Sequence, residues 1–179
     1  MKRRLTNKEW AQALRTFDRT AFRLELQNEY DEPAGTVARF LAGNPQDPDD
    51  VPEFREWATT IRSLTDQGKR IERVRVHHDP PSDYQRWERW AAQQTTAAGE
   101  VIRYMTRQRA HEVGLLPMAG PDDWWLLDDD RLVIMKFGSG GRLVASHLVT
   151  DPEYVSRARR WRDLAVHYSA PEMTGVRLP

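Results

Sequence analysis

Residues 53–76, EFREWATTIRSLTDQGKRIERVRV, decide the fold that the sequence predicts. In their first half, apolar side chains at helical spacing form one stripe: Phe54, Trp57, Ala58, Ile61 and Leu64. This stripe predicts a core-facing helix over residues 53–67, with Gly68 just past its end. The run from Ile71 to Val76 predicts a strand. A helix, a glycine and a strand in this order indicate a right-handed crossover unit of a sheet.

Helices and strands continue to alternate downstream of this unit. A second helix begins at Ser82 or Asp83 and ends before Gly99, and a last helix has Asp151 as its N-cap and Pro152 at its first position. The remaining strands are predicted at residues 101–104, 124–127, 132–137 and 142–149. The predicted fold class is therefore α/β, a mixed sheet of about five to seven strands flanked by helices.

The N-terminal part is predicted to form a small lobe packed on the main domain. Thr6 or Asn7 caps a helix, residues 21–26 alternate apolar with charged side chains as a strand does, and a short helix ends at Gly43. The next segment, NPQDPDDVP, has three prolines and three acids, which are incompatible with a regular element. The predicted parts are a helix–strand–helix lobe (1–43), an acidic proline-rich connector (44–52), a mixed α/β domain (53–170) and a loose tail (171–179).

Composition excludes several classes of protein. The chain of 179 residues has no cysteine, which rules out disulfide frameworks, thiol nucleophiles and zinc sites built from thiolates. The longest aliphatic runs, such as residues 132–135, span four residues, so we find neither a signal peptide nor a membrane span. These features predict a cytoplasmic protein without membrane contact.

Charge argues against binding to nucleic acid through bulk attraction, because 27 basic residues balance 27 acidic ones. The run from Arg157 to Arg162 contains four arginines, but helical geometry distributes them around the helix instead of along one face. Such a helix presents a solvated surface. We therefore do not expect direct contact with nucleic acid.

The strand over residues 71–76 carries the best candidates for a ligand site. Arg73 and Arg75 lie on one of its faces, and Arg103 from the next strand is expected to join them. These guanidinium groups either bind an anion or pair with carboxylates, since a buried arginine nearly always has a partner. The candidate carboxylates are Glu72, Glu88 and Glu100. We predict that a small polar or anionic ligand, with no metal and no cofactor, binds at Arg73, Arg75, Ser82, Asp83, Tyr84, Glu88, Glu100 and Arg103.

Two adjacent histidines follow the same strand, where α/β proteins place ligands. His77 and His78 point in opposite directions if the strand geometry continues, which disfavours a shared metal ion. We favour an exposed polar loop stiffened by Pro80 and Pro81.

Trp124 and Trp125, with Asp128, are predicted to contact a protein partner. Adjacent residues of a strand face opposite sides, so one of the two tryptophans is expected to be exposed. An exposed tryptophan is a common anchor of protein interfaces.

Seven short strings of this sequence form a recognisable set in this order: AFRLE (21–25), FLAG (40–43), RVRV (73–76), SDY (82–84), AGE (98–100), WLLD (125–128) and RWRDLA (160–165). Together they resemble a family of actinobacterial proteins of unknown function, over roughly residues 17–171. The resemblance implies a gene context that includes helix-turn-helix regulators. A regulator of that kind is therefore the expected protein partner.

The second half is also similar in outline to phospholipase D-like domains. Active members of that family need a His, a Lys two positions later and an Asp five beyond that, because the His attacks phosphorus and the Lys neutralises the phosphoryl oxygens. If Asp128 is that aspartate, the other two positions hold Pro121 and Asp123, and neither residue can do this chemistry. The resemblance therefore implies a catalytically empty version of the fold.

The function predicted from these observations is a non-enzymatic, cytoplasmic regulatory or interaction protein that senses a ligand and acts with a helix-turn-helix regulator. The alternative is a phosphodiester hydrolase or nuclease of phospholipase D-like fold with a non-standard active site. Its acid and base would have to come from His77, His78 and Asp83.

Overall fold

A computed structural model describes residues 1–171, which fold into a seven-stranded mixed sheet with helices on both faces. The strands are Lys2–Leu5 (β1), Thr20–Glu25 (β2), Arg70–His77 (β3), Val101–Thr106 (β4), Asp123–Leu127 (β5), Arg131–Phe137 (β6) and Leu143–Val149 (β7). The α-helices are Asn7–Ala13 (α1), Thr36–Leu41 (α2), Pro52–Asp66 (α3), Asp83–Ala97 (α4), Arg107–Glu112 (α5) and Pro152–Tyr168 (α6). The strand order is β1-β7-β6-β5-β2-β3-β4, which confirms the predicted fold class.

The unit formed by α3, Gly68 and β3 lies at the centre of the architecture. Gly68 has φ of 78°, a left-handed conformation that favours glycine, and it follows the last residues of α3 as predicted. Strand β3 pairs in parallel with β2 on one side and with β4 on the other. The parallel part of the sheet is therefore β2-β3-β4, and the other pairs are antiparallel.

Alternation along β3 separates two faces of the sheet. Val74 and Val76 belong to a core shared with Ala158 and Ala165 of α6. On the opposite face, Ile71 packs with side chains of α3, and the charged residues of β3 follow it. One face is therefore an apolar core, and the other changes from apolar to charged along the strand.

The prediction of a separate N-terminal lobe is wrong, because residues 1–43 supply two strands to the common sheet. β2 lies between β3 and β5, and β1 pairs with β7 at one edge. The alternation in residues 21–26 correctly indicated a strand, but it carries no information about distant pairing partners. β1 was not predicted, because Lys2, Arg3 and Arg4 form a polar run that is tolerated on an exposed edge.

Residues 44–52 connect elements of one domain instead of separating two. A short 3₁₀ turn at Pro48–Asp50 lies within them, and Asp49 accepts a hydrogen bond of 2.5 Å from Gln94 of α4. The proline-rich composition correctly excluded a long regular element. The segment is not a boundary between two parts of the chain, although the sequence analysis divided the chain there. The predicted loose tail lies outside the described residues apart from Pro171.

The C-terminal half agrees closely with its sequence signals. Strands β5 and β6 and strands β6 and β7 form antiparallel pairs as neighbours in sequence, and Asp151 caps α6 with Pro152 in its first turn. Helix α5 was not predicted, although Thr106 caps it. None of the helices in the described part of the chain has the length and apolarity needed to cross a membrane.

Candidate functional site

A cavity of about 520 Å³ lies on the charged face of the sheet. Residues from β2, β3 and β5 form its floor, and α1, α3 and α4 contribute its walls. Residues 27–35, which connect β2 to α2 and are called the strap below, lie over one side through Tyr30, Asp31 and Glu32. The cavity is large enough for a small organic ligand.

The register of β2 and β3 brings charged side chains together on the floor. Arg23 lies opposite Arg73, and Glu25 lies opposite Arg75, in the parallel ladder. Because the two strands are in register, all four side chains point to the same face. The floor therefore combines three guanidinium groups with one central carboxylate.

Glu25 lies between the guanidinium groups and binds two arginines of β3. Its Oε1 is 2.9 Å from Arg73 Nη1, and its Oε2 is 2.6 Å from Arg75 Nε. Arg73 also contacts Glu100 at 2.5 Å, and Arg75 contacts Glu88 at 3.3 Å. Burial alone would raise the pKa of Glu25, but the surrounding guanidinium groups hold that pKa well below its usual range.

Asp123, at the start of β5, completes the floor. Its carboxylate is 3.0 Å from Arg23 Nη2, accepts a bond of 2.6 Å from the Tyr30 hydroxyl and accepts another of 2.8 Å from the Leu26 N–H. Burial raises the pKa of Asp123, although Arg23 and these hydrogen bonds oppose the effect. Through Tyr30, this residue ties the strap to the sheet.

His77 lies at the end of β3 and is buried, not exposed in a loop as predicted. Its Nδ1 accepts a hydrogen bond of 3.2 Å from Arg89 Nε, and its Nε2 is 2.9 Å from Glu88 Oε2. Because Nδ1 accepts, the ring proton lies on Nε2 and is donated to Glu88. Burial lowers the pKa of His77, which favours this neutral form.

The three residues considered for an acid/base group have separate partners. While His77 binds Glu88, His78 is exposed with its Nε2 2.9 Å from Asn28 Oδ1. Asp83 is exposed and pairs with Arg86 at 2.6 Å. The predicted alternation of the adjacent histidines explains this divergence.

Aromatic rings line the walls above the charged floor. Trp125, buried on β5, has its ring centroid 6.3 Å from that of Trp10 and 6.5 Å from that of Trp57. Trp87 of α4 contacts Phe54 of α3 at 6.1 Å. The stripe of α3 that the sequence assigned to a core-facing helix therefore forms part of the cavity wall as well.

The strap places a carboxyl group at the edge of the cavity. Glu32 Oε1 accepts a hydrogen bond of 2.8 Å from the Tyr84 hydroxyl. Burial raises the pKa of Glu32 to about 7, since the hydrogen bond from Tyr84 only partly offsets burial and the nearby Glu88 carboxylate. Asp31, its neighbour, donates a backbone bond of 3.1 Å to Gly141 in the β6–β7 turn.

The predicted ligand residues are only partly brought together. Arg73, Arg75 and Glu88 line the cavity, Glu100 supports its floor, and Tyr84 contacts its edge. The glutamates Glu88 and Glu100 pair with the arginines as considered, whereas Glu72 pairs with Arg70 at 2.8 Å. Three predicted residues lie elsewhere: Ser82, Asp83 and Arg103.

Arg103 lies on the opposite face of the sheet because its ladder partner is Val74, not Arg73 or Arg75. It donates to Ser169 Oγ at 2.9 Å and to the Ser169 carbonyl at 2.7 Å. Ser82 caps α4, which occupies its hydroxyl. Placing these residues in the site from their sequence positions was therefore wrong.

The predicted partner contacts at Trp124, Trp125 and Asp128 are also wrong. Both tryptophans are 2% exposed because helices cover both faces of β5. Asp128 is buried and accepts hydrogen bonds from the backbone N–H groups of Asp18, Arg19 and Thr20. Its carboxylate therefore holds the start of β2.

Five residues that matter to the cavity were not identified from the sequence: Arg23, Glu25, Tyr30, Glu32 and Asp123. The alternation within β2 did place its Arg and Glu on one face. What the sequence does not show is which strand lies beside them. Across residues 1–171, no three His, Asp or Glu side chains are grouped so that they could hold a metal ion.

A protein-family model matches nearly the whole chain. The model of the family described as Domain of unknown function (DUF6879) matches residues 8–174. No curated protein sequence matches the chain.

Solved structures with a similar fold include phospholipase D relatives. Nuc from Salmonella typhimurium, a phospholipase D family member, matches with a TM-score of 0.54 and 9% identity, over 95% of this chain and 97% of that one. NucT from Helicobacter pylori matches with a TM-score of 0.52 and 8% identity, over 94% and 96%. At such identities the likeness concerns the fold alone. It confirms the phospholipase D-like outline and extends it from the second half to the whole chain.

Proposed function

This chain belongs to the DUF6879 family, and we propose that it is a non-catalytic regulatory protein whose cavity binds a small ligand. The observation that carries the proposal is an aromatic-walled cavity of about 520 Å³ above a floor of ion pairs. Apolar walls with a few convergent polar groups are typical of small-molecule sites.

The pairing of the polar groups favours binding over catalysis. A nucleophile or general base needs a free lone pair directed at the substrate. Glu25 of the floor is held by Arg73 and Arg75, and both ring nitrogens of His77, at the end of β3, have partners. These groups can shape and polarise a site without entering a reaction.

The strap offers a route from ligand to partner. It contacts the sheet through Tyr30 and Asp123, α4 through Glu32 and Tyr84, and the β6–β7 turn through Gly141. A ligand that touches the strap changes a segment that reaches the protein surface. We propose that a helix-turn-helix regulator responds to this change, and the support for that partner is the family resemblance in the sequence.

The ligand-binding function is tested by titrating the protein with a chemically mixed fragment set while following tryptophan fluorescence. Fragments that bind should quench the tryptophan fluorescence of the wild-type protein. They should bind less tightly to the Trp57→Phe variant, because Trp57 lines the cavity. The matched control is Trp161→Phe, since Trp161 packs against Trp124 on the other face. Absence of any binding, or equal losses in both variants, would overturn the proposal.

The regulator is tested by co-purification with helix-turn-helix proteins encoded beside the gene, with and without a bound fragment. A complex whose amount changes with the fragment supports the regulatory role. If none of these regulators associates under either condition, the partner proposal is wrong and the binding proposal stands by itself.

A second candidate, hydrolysis of phosphodiesters, is favoured by the fold and by the position of His77 beside Glu88 at the end of a parallel strand. It predicts release of nitrophenol from bis(4-nitrophenyl) phosphate and loss of that release in His77→Ala. Turnover that survives this substitution, or no turnover with any divalent metal, dismisses the candidate.

A further inference from the structure

We propose that the ligand of this cavity is a small organic cation, an amine or quaternary ammonium with an apolar body, and that Glu32 is its counter-ion. The inference rests on the proposed binding function and specifies the chemistry of the ligand.

The charges around the cavity leave an excess of carboxyl groups. The lining residues with charged side chains are Arg23, Arg73, Arg75, Arg142, Glu25, Asp31, Glu32 and Glu88. Behind the floor, Glu100 and Asp123 bind two of these arginines. The lining itself carries four carboxyl and four guanidinium groups, and with Glu100 and Asp123 included six carboxyl groups accompany these four guanidinium groups. A cationic ligand would reduce this excess, and an anionic ligand would increase it.

Among the described residues, Glu32 is the lining carboxyl group that is partly buried and has no basic side chain within ion-pair distance. Within residues 1–171 its one side-chain partner is the Tyr84 hydroxyl, and no basic side chain lies within ion-pair distance. The charged groups that face it are Glu88 of α4, Arg75 of β3 and Glu25 of β2. Arg75 is already engaged by both glutamates, so it cannot serve Glu32 as a counter-ion.

The protonation behaviour of Glu32 agrees with this geometry. Burial raises its pKa to about 7, and the nearby carboxylates Glu88 and Glu25 contribute in the same direction. A cation placed beside the carboxyl would favour its ionised form. Binding of a permanent cation should therefore release a proton and become tighter as pH rises.

The walls supply the second attraction that an organic cation needs. The face of an indole ring attracts a cation, most strongly where water is excluded. Trp125 already has the guanidinium carbons of Arg23 and Arg73 at 5.8 and 5.9 Å from its ring. In the described part of the chain, no such cation lies over Trp10 of α1 or Trp57 of α3, and both residues are partly buried. Their rings remain for the ligand.

The anion site that the sequence predicted is disfavoured by the ion pairs of the cavity floor. Each of the three floor arginines is bound to at least one carboxylate, at distances of 2.5 to 3.3 Å. An anion would have to displace one of these buried partners, which is costly. It would also meet the electron-rich faces of the indole rings.

Three soluble probes that share a benzyl group separate the charge classes: benzyltrimethylammonium, benzyl alcohol and phenylacetate. We measure their binding by calorimetry at pH 6 and pH 8. The cation should bind at least about tenfold more tightly than the alcohol, and its affinity should rise about tenfold between the two pH values as Glu32 ionises. Phenylacetate should bind most weakly.

Variants identify the counter-ion. Glu32→Gln should remove the pH dependence and lower the affinity for the cation at pH 8 by about tenfold. The matched control Glu29→Gln, from an exposed position on the same strap, should behave as wild type.

The outcomes separate this inference from the function on which it rests. Tighter binding of phenylacetate or benzyl alcohol, or an unchanged affinity in Glu32→Gln, overturns the cationic ligand and leaves the binding function intact. If neither the probes nor the mixed fragment set binds, the binding function itself is overturned.

Discussion

Arg75 of β3 lies beside Glu25 of β2, with 2.6 Å between Arg75 Nε and Glu25 Oε2. The parallel register that pairs these residues also aligns Arg23 with Arg73. A single feature of the sheet, the pairing of β2 with β3, therefore assembles the cavity floor. The groups that hold the floor together also line the cavity, so the proposed ligand binding would be coupled to stability.

Replacement of Glu25 by glutamine should lower the free energy of unfolding by about 3–5 kcal/mol, since it leaves buried guanidinium groups without their shared carboxylate. Urea denaturation measures the loss. The control is Glu56→Gln, because Glu56 forms an exposed pair with Arg15 at 3.1 Å, and its loss should cost less than about 1 kcal/mol. Equal effects of the two substitutions would contradict a structural role for the floor network.

Asp128→Asn should destabilise the protein by about 1–3 kcal/mol, because an amide cannot accept from three backbone N–H groups as two carboxylate oxygens do. These donors belong to Asp18, Arg19 and Thr20, at 2.8, 2.7 and 3.1 Å. Asp130→Asn, in the same turn but exposed, should have little effect. Both variants are compared by urea denaturation, and a larger loss in the control would show that the turn is not held by Asp128.

The Asp128 carboxylate should also make the stability of the protein depend on pH in the acidic range. Burial favours the neutral form of Asp128, but the backbone donors outweigh it, so its pKa lies below its usual 3.8. Because its pKa is lower in the folded state, Asp128 contributes stability at pH values above its unfolded-state pKa. This contribution is lost as the pH falls through the folded-state pKa. Below about pH 4, wild type should therefore lose stability relative to Asp128→Asn.

The sequence predicted those helices, strands and caps whose residue pattern depends only on neighbours along the chain. The stripe of α3, the alternation of β3 and the cap of α6 at Asp151 all depend on neighbours in sequence. The place of β2 depends on Ile71 and Leu127, which are paired to it across the sheet but are distant in the chain. A separate lobe was therefore predicted where a central strand exists.

Like the fold, the candidate site was predicted only in part. Arg73 and Arg75 were identified because alternation places them on one face, and Glu88 because a buried guanidinium needs a partner. Arg103 was misplaced since the register of β4 against β3 shifts it to the other face. The strap residue Glu32 has no sequence signal, because its role comes from the fold around it.

Gly141→Ala should destabilise the strap far more than Gly140→Ala. Both glycines have positive φ, 70° and 67°, so each substitution bears the cost of a left-handed alanine, about 1–2 kcal/mol. A Cβ at Gly141 would also lie 2.4 Å from Tyr30 Cα and 2.6 Å from the Glu29 carbonyl oxygen, whereas one at Gly140 meets nothing within 4 Å. The pair therefore isolates the close approach of the strap.

The measurements for this pair are urea denaturation and the titration with benzyltrimethylammonium. Gly140→Ala should keep the affinity of wild type, and Gly141→Ala should weaken it as the strap is displaced. Identical affinities in the two variants would show that the strap does not shape the cavity.

Stability should fall as pH rises from about 4.5 to about 7, through the carboxyl of Glu32. Its pKa is raised in the folded state, so the folded protein holds this proton more tightly than the unfolded chain does. This contribution to stability is fully present at pH values below the unfolded-state pKa of Glu32. It is lost as the pH rises through the folded-state pKa. The loss is at most about 3 kcal/mol, and less where solvent reaches the carboxyl.

The free energy of unfolding of wild type minus that of Glu32→Gln, followed from pH 5 to pH 8, measures this contribution without the other titrating groups. Tyr84→Phe gives an independent check, because the lost hydroxyl normally stabilises the ionised carboxyl at 2.8 Å. Its removal should raise the pKa of Glu32 further and move the decline to higher pH. A difference curve that is flat over this range, or a decline that moves to lower pH in Tyr84→Phe, would show that Glu32 is not the group that titrates.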